Sequence, residues 1–215
     1  MMAATVDRPE GATLAAAATP VVLASASPAR AALLRAAGIP ILVDAAAIDE
    51  AEVKASLQAA RAEPAAIAEA LAELKAQRVS RRHVGNLVIG ADQVLECDGI
   101  LFDKPADLAA ARNQLLALRG RRHQLVSAAV LVRDGQRLWH HVARADLEMR
   151  EFSTDFLDRY LRSAGGAALS SVGAYQLEGV GAQLFGSVDG DYFTILGLPL
   201  LPLLGILREH GVLPS

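Results

Sequence analysis

The chain has 215 residues, of which 53% are hydrophobic and 21% are charged, a balance typical of a globular protein that buries a core. Its formal net charge of −3 excludes the basic excess of a general nucleic-acid binder, and an aromatic content of 4% argues against stacking of bases on aromatic side chains. A single cysteine, Cys97, excludes an intrachain disulfide and is compatible with a reducing compartment.

Two stretches bear on where the protein works. Residues 1–19 are rich in alanine but contain Asp7 and Glu10, and they lack the apolar run of a signal peptide. The most apolar segment, 195–207, is too short to span a bilayer and contains two prolines. We therefore expect a soluble, cytoplasmic protein that binds neither membrane nor nucleic acid, with 1–19 as a flexible extension. No linker divides residues 20–215, so they are expected to form one domain, and its division into two lobes around a cleft stays open.

Strand and helix patterns alternate along this domain. Apolar runs predict strands at 21–24, 41–43, 87–92, 124–132 and 137–149. Capping residues and prolines predict helices that begin at Pro28, Pro64, Pro105, Ser153 and near Pro199. Asp-Gly pairs at 98–99 and 134–135 predict hairpin turns, and the Gly-rich stretch 165–190 is expected to mix loops and strands. This order predicts an α/β protein with a mixed sheet flanked by helices.

The first predicted strand leads through small hydroxyl residues into a helix. Ser27 is a suitable N-cap and Pro28 suits the first helical position, so free backbone N–H groups and the positive end of the helix dipole lie at this turn. Ser25 and Arg30 would add a hydroxyl group and a charged donor, which predicts an anion-binding site. The alternative is a capped helix that carries an ordinary surface arginine.

Acidic residues form a second group of candidates. Asp92 ends a predicted buried strand, at the edge of the sheet where α/β proteins bind ligands, and could hold a hard metal ion or act as a general base. The alternative is a carboxylate that caps its own turn. Asp49, Glu50 and Glu52 form a predicted acidic loop, whose mutual repulsion a divalent cation would relieve unless the loop is simply solvated.

Lysine is scarce in this chain. Among its 21 basic residues, only Lys54, Lys75 and Lys104 are lysines. Where arginine supplies most of the positive charge, a retained lysine can indicate a need for a compact ammonium group. Lys75 borders the apolar face of a predicted helix, and Lys104 precedes a proline that restricts its backbone. Both could neutralise phosphate charge, and the alternative is that they are ordinary surface lysines.

Several of these segments together resemble the Maf (septum-formation-protein) family over about residues 21–212. The matching segments read LASASPARAALL, ELKAQ, VIGADQV, the Lys104-Pro105 pair, GAYQLEGVGAQLF and VDGDYFTILGLPL. The resemblance implies an α/β, ITPase-like fold with a central cleft. It also implies a cytoplasmic, homodimeric nucleoside triphosphate pyrophosphatase that depends on Mg²⁺ or Mn²⁺ and has a proposed house-cleaning role against non-standard nucleotides.

The resemblance also assigns roles to particular residues. Ser25 and Arg30 would bind phosphate, Lys75 and Lys104 would neutralise the triphosphate, and Asp92 would be the proton acceptor or a metal ligand. Glu50 would join the metal or water site, and Gln93 and Glu178 would contact the substrate.

Some positions depart from the usual family motifs. Ala29 stands where many members have a second arginine, which leaves open a catalytically weak, nucleotide-binding regulator of cell division as the alternative function. Glu178 and Gln93 replace the glutamine and threonine of the branch that prefers dTTP and UTP, and so favour the 7-methyl-GTP branch. The segment Gly173–Tyr175 is more similar to the pyrimidine branch, so the preferred base stays open.

Overall fold

The computed structural model describes residues 20–214, so the predicted N-terminal extension 1–19 lies outside the described residues. The strands are β1 (Val21–Leu23), β2 (Ile41–Val43), β3 (Val88–Cys97), β4 (Ile100–Phe102), β5 (Arg122–Arg133), β6 (Gln136–Met149) and β7 (Phe185–Asp189). The α-helices are α1 (Pro28–Ala36), α2 (Glu50–Ala59), α3 (Pro64–Ser80), α4 (Leu108–Leu118), α5 (Thr154–Ala164), α6 (Tyr192–Ile195) and α7 (Leu200–Glu209). Three short 3₁₀ turns lie between α5 and β7, at Gly165–Leu169, Val172–Ala174 and Val180–Leu184.

Within the described residues, seven strands form one mixed sheet in the order β2-β1-β3-β5-β6-β7, and β4 pairs with β3. β1 runs parallel to β2 and β3, whereas the other neighbouring strands are antiparallel. The predicted mixed α/β sheet flanked by helices is therefore confirmed. None of the helices in this part of the chain is long and apolar enough to cross a membrane.

Local sequence signals explain most of the element boundaries. Ser27 caps α1 and Ser153 caps α5, and each hydroxyl accepts a backbone N–H from the first turn. The two predicted Asp-Gly hairpins are present, and Asp98 and Asp134 both have positive φ angles (51° and 50°), as such two-residue turns require. The predicted acidic loop is wrong, because Asp49 instead caps α2 and Glu50 and Glu52 lie in its first turn.

Helices cover both faces of the sheet around β3. Helix α3 packs on one face through a cluster that includes Leu71, Val88 and Val94, while α1 and α7 pack on the other face with Ile89. A third cluster joins α4 and α5 to the distal half of the sheet. Because side chains alternate along a strand, Asp92 points to the same face as Val88 and therefore towards α3.

Gly90 sets the distance between α3 and β3. A Cβ atom at this position would lie 2.0 Å from the backbone oxygen of Ala72 and 2.8 Å from the Cβ of Ala76. Only a residue without a side chain allows the helix to approach this closely. The close approach brings Lys75 of α3 next to Asp92 of β3.

Candidate active site

The loop after β1 is organised around two serines and one arginine. The Ser27 hydroxyl accepts the backbone N–H of Arg30 at 3.4 Å, as expected of an N-cap. The Ser25 hydroxyl accepts the backbone N–H of Ser27 at 3.3 Å and the Nη1 of Arg30 at 3.0 Å. Ser25 is buried and Arg30 is only 9% exposed, so the alternative of a surface arginine is wrong.

Arg30 connects three parts of the chain. Its Nη1 also donates to the backbone oxygen of Ala91 at 2.9 Å, and its Nε donates to that of Gly197 at 2.7 Å. Burial lowers the pKa of Arg30, and the charges of Asp92 and Glu50 oppose that shift. Because three acceptors orient it, the guanidinium is a fixed cation beside the two carboxylates.

Lys75 lies between two carboxylates. Its Nζ is 2.6 Å from Oδ1 of Asp92 and 2.9 Å from Oε1 of Glu50. The side chains of Lys75 and Asp92 are 7% and 9% exposed, whereas that of Glu50 is half-exposed. Lys75 is therefore not a surface lysine, and Asp92 pairs with a helix residue rather than capping its own turn.

The sequence predicted that Asp92 ends its strand. This prediction is wrong, because β3 continues to Cys97. The neighbouring strand β1 pairs with β3 only as far as Leu23 with Ile89. Asp92 is thus three residues beyond the end of β1, and the loop that carries Ser25 lies there. The shorter neighbouring strand therefore leaves room beside Asp92 for the basic cavity, although the side chain itself is largely buried.

The three lysines of the chain line one cavity. This cavity has a volume of about 420 Å³, and its polar lining comprises Ser25, Ser27, Arg30, Glu50, Lys54, Lys75, Asp92, Gln93, Asp103 and Lys104. Desolvation lowers the pKa of Lys104, as does the charge of Arg30, while Glu50 opposes both effects. The basic side chains and the carboxylates make this cavity, called the basic cavity below, suitable for a small polyanion with a cation.

A second cavity of about 620 Å³ adjoins the basic cavity and shares Arg30, Gln93 and Lys104 with it. Its other walls are more apolar and include Ala29, Tyr175, Leu177 and Leu196, with Glu178 exposed on one side. We call it the apolar cavity. Of the candidate site residues, Ser25, Arg30, Glu50, Lys75, Asp92, Gln93, Lys104 and Glu178 therefore line one of two adjoining cavities, whereas Asp49 and Glu52 line neither.

Gln93 has one side-chain atom left for a ligand. Its Nε2 lies 3.1 Å and 3.0 Å from the backbone oxygens of Thr194 and Ile195, and 2.9 Å from the Ser127 hydroxyl. Backbone oxygens only accept hydrogen bonds, so the amide nitrogen must face them. The oxygen Oε1 therefore remains as an acceptor where the two cavities meet.

The wall of the apolar cavity is held by buried polar contacts. The ring Nε2 of His123 lies 2.9 Å from the Tyr175 hydroxyl, and the Tyr160 hydroxyl donates to the backbone oxygen of Ala174 at 2.9 Å. Burial lowers the pKa of His123 to about 4, so this histidine is neutral at pH 7. It stabilises the wall and carries no charge towards a ligand.

The donor set for a metal ion is small. Among residues 20–214 no group of three or more His, Cys, Asp or Glu side chains could hold a metal. Asp92 and Glu50 nevertheless contact the same ammonium group, so their carboxylates lie close together. Mg²⁺ is commonly bound by one or two carboxylates, with water and substrate phosphates completing its octahedron, and this pair fits that pattern.

Two charged residues of the basic cavity, Lys54 and Asp103, were not predicted as site residues. Lys54 of α2 has a side chain that is only 13% exposed, and it forms an ion pair with Asp103. The scarcity of lysine was the signal that could have identified it, because all three lysines meet in this cavity.

The fold and the site define the class of protein: a mixed α/β domain whose sheet edge carries a basic cavity with a carboxylate pair. The chain belongs to the Maf family, because the family model described as "Maf-like protein" matches residues 20–210.

Several relatives are similar over nearly their whole length. A protein named nucleoside triphosphate pyrophosphatase from Paramagnetospirillum magneticum is 62% identical over 192 residues, which cover 89% of this chain and 99% of the relative. A protein named 7-methyl-GTP pyrophosphatase from Rhizobium etli is 53% identical over 193 residues, which cover 90% and 97%. A solved nucleoside-triphosphatase / dITP/XTP pyrophosphatase from Mycobacterium abscessus is 15% identical with a TM-score of 0.39, over 91% of this chain and 98% of its own.

Proposed function

We propose that this chain is a nucleoside triphosphate pyrophosphatase, which cleaves its substrate between the α- and β-phosphates to a nucleoside monophosphate and pyrophosphate. One observation carries the proposal: the Lys75 ammonium joins Asp92 and Glu50 beside the fixed cation of Arg30. Relatives that are 62% and 53% identical carry pyrophosphatase names, which supports the same reaction here.

The two cavities suggest how the substrate binds. The triphosphate lies in the basic cavity, where Arg30, Lys75 and Lys104 neutralise its charge. The nucleoside lies in the adjoining apolar cavity. Because the cavities meet at Arg30 and Lys104, the α-phosphate lies near this junction and the β- and γ-phosphates extend away from it.

The carboxylates carry out the proton chemistry. Asp92 is buried on a rigid strand and accepts a proton from the attacking water, and Glu50 helps to position that water. A divalent cation held by Asp92 and Glu50, Mg²⁺ or Mn²⁺, would polarise the phosphate and favour deprotonation of water. Arg30 and Lys75 stabilise the negative charge on the departing pyrophosphate.

The apolar cavity suggests which base is preferred. The exposed carboxylate of Glu178 can accept two N–H groups, as the N1 and exocyclic amine of guanine present them. The Oε1 of Gln93 adds another acceptor. Methylation at N7 gives guanine a positive charge, which an acidic wall favours over a neutral base. We therefore propose 7-methyl-GTP as the preferred substrate, with dTTP and UTP as the alternative.

The rival function is a nucleotide-binding regulator of cell division without useful catalysis, suggested by Ala29. Position 29 lines the apolar cavity and is not part of the lining of the basic cavity. The loss of an arginine there leaves Arg30, Lys75 and Lys104 around the phosphates, which favours an enzyme. Triphosphate binding without pyrophosphate release would favour the regulator instead.

We also propose that the protein is a cytoplasmic homodimer with a house-cleaning role, and that it binds neither nucleic acid nor membrane.

Pyrophosphate release from dTTP, UTP, CTP, GTP and 7-methyl-GTP, with Mg²⁺ present and after chelation, tests the proposal. We expect one strongly preferred substrate, with activity that is lost on chelation and restored by Mg²⁺ or Mn²⁺. The variant Glu178→Gln tests the proposed base preference, with UTP as the control substrate. Removal of the charged acceptor should lower kcat/KM for 7-methyl-GTP roughly tenfold or more and should affect kcat/KM for UTP much less. No release from any nucleotide, with binding intact, would contradict the proposed activity.

A further inference from the structure

Lys54 is the one lysine of the basic cavity to which the proposed reaction assigns no role. It belongs to α2, a helix without a buried residue, yet its own side chain is only 13% exposed and lines the basic cavity. Its ammonium contacts Oδ1 of Asp103, whose side chain is 70% exposed. Because the Asp103 carboxylate lies largely in solvent, the ion pair contributes little stability, and ordering the lysine side chain costs conformational entropy. Stability of the fold alone therefore does not account for this contact.

The position of Lys54 in the cavity relates it to one end of the substrate. Arg30, Gln93 and Lys104 line both cavities and mark their junction. Lys54 and Asp103 line the basic cavity without lining the apolar one, as do Lys75 and Asp92. A triphosphate whose nucleoside lies in the apolar cavity therefore places its terminal phosphates in the part of the basic cavity that Lys54, Lys75 and Asp92 line.

We propose that Lys54 binds the terminal phosphate of the substrate, and that Asp103 is an internal anion that holds Lys54 in the free protein and competes with phosphate for it. This inference rests on the proposed function, because it assumes a triphosphate in the basic cavity. Asp103 is exposed, so its carboxylate can turn into solvent when phosphate replaces it. The pair thereby favours triphosphate and pyrophosphate over nucleoside monophosphate, which has no phosphate group at that end.

The competition predicts opposite effects for the two partners. Lys54→Gln removes a charged hydrogen bond and should weaken pyrophosphate binding roughly tenfold to a hundredfold. Lys54→Arg keeps the charge and should retain much of the affinity. Asp103→Asn removes the competitor and should tighten pyrophosphate binding by up to about fivefold, the range of an exposed ion pair. If the ion pair were only structural, Lys54→Gln and Asp103→Asn would both weaken pyrophosphate binding, or neither would change it.

Titration calorimetry of the full-length protein with pyrophosphate and with nucleoside monophosphate, both with Mg²⁺, measures these effects. The control variant is Arg112→Gln, which breaks an exposed pair with Asp158 away from both cavities and should change neither affinity. We expect Lys54→Gln to weaken pyrophosphate binding and leave monophosphate binding within twofold, with Asp103→Asn acting in the opposite direction. Melting temperatures close to that of the parent protein establish that each variant is folded.

Three outcomes would overturn the inference: both variants shift pyrophosphate affinity in the same direction, neither variant shifts it, or Lys54→Gln weakens the binding of both ligands equally. These outcomes are distinct from failure of the proposed function, because a parent protein that binds pyrophosphate without hydrolysing triphosphates still shows the competition. A parent protein that does not bind pyrophosphate overturns both proposals.

Discussion

Replacing Gly90 by alanine tests how closely α3 packs on β3. The new Cβ would lie 2.0 Å from the Ala72 backbone oxygen, and contacts under 3.0 Å essentially never occur, so the helix must retreat by about 1 Å. Backbone atoms cannot rotate away, so we expect a cost near the upper end of overpacking, about 3 kcal/mol. The lower entropy of the unfolded alanine chain offsets up to about 1 kcal/mol. The net loss of about 2 kcal/mol lowers Tm by roughly 4–8 °C.

The same displacement should reach the site, because Lys75 is on α3 and Asp92 is on β3. Their present separation of 2.6 Å would lengthen, and kcat should fall roughly tenfold to a hundredfold. Calorimetric melting and pyrophosphate release measure the two effects. Gly205→Ala is the control: a Cβ there meets no atom within 4 Å inside helix α7, so Tm should rise by a few degrees with activity unchanged. An active Gly90→Ala variant with the parent Tm would refute the close packing of α3 on β3.

Three further predictions concern single side chains. Arg30→Lys keeps the charge but loses the planar guanidinium group that reaches three acceptors. The free energy of unfolding, measured with urea, should therefore fall by about 3 kcal/mol, and KM should rise. His123 is neutral when folded and its pKa is lowered to about 4, so the unfolded chain binds more protons between pH 6.5 and 4, and stability falls as the pH falls. The free energy of unfolding, measured with urea, should therefore fall by about 2 kcal/mol less between pH 7.5 and pH 5 in His123→Gln than in the parent protein. Burial lowers the pKa of Lys104, so its ammonium group loses its proton at a lower pH than that of an ordinary lysine. The KM should therefore increase at alkaline pH in the parent protein and not in Lys104→Arg.

Local chemistry made much of the fold predictable. The start of α1 at Pro28, the start of α3 at Pro64 and the Asp-Gly hairpins each follow from residues within one turn. Helix α2 was missed because it has no buried residue, and so lacks the apolar periodicity by which helices are predicted. Its acidic N-terminus, with Asp49 as a cap, was the remaining helical signal.

The site was predictable as a set of residues but not as a geometry. Ser25, Arg30, Lys75 and Asp92 could be selected from their sequence context, whereas some of the groups that hold Arg30 lie far away in the chain. Arg30 donates to a backbone oxygen 167 residues later, and no local pattern reports such a contact. The length of β3 likewise depends on its pairing with β5, a long-range interaction.

The identity of the products, and their dependence on Asp92, test the central claim most directly. We would incubate the parent protein and Asp92→Asn with a nucleoside triphosphate and Mg²⁺, quantify monophosphate, pyrophosphate and orthophosphate, and measure nucleotide binding in parallel. Lys75 keeps its contact with Glu50 in the variant, so the fold should persist. We predict equal amounts of monophosphate and pyrophosphate from the parent, and turnover lowered at least about a hundredfold in Asp92→Asn with binding retained. Orthophosphate as the product, or near-parental turnover by Asp92→Asn, would contradict the proposed reaction.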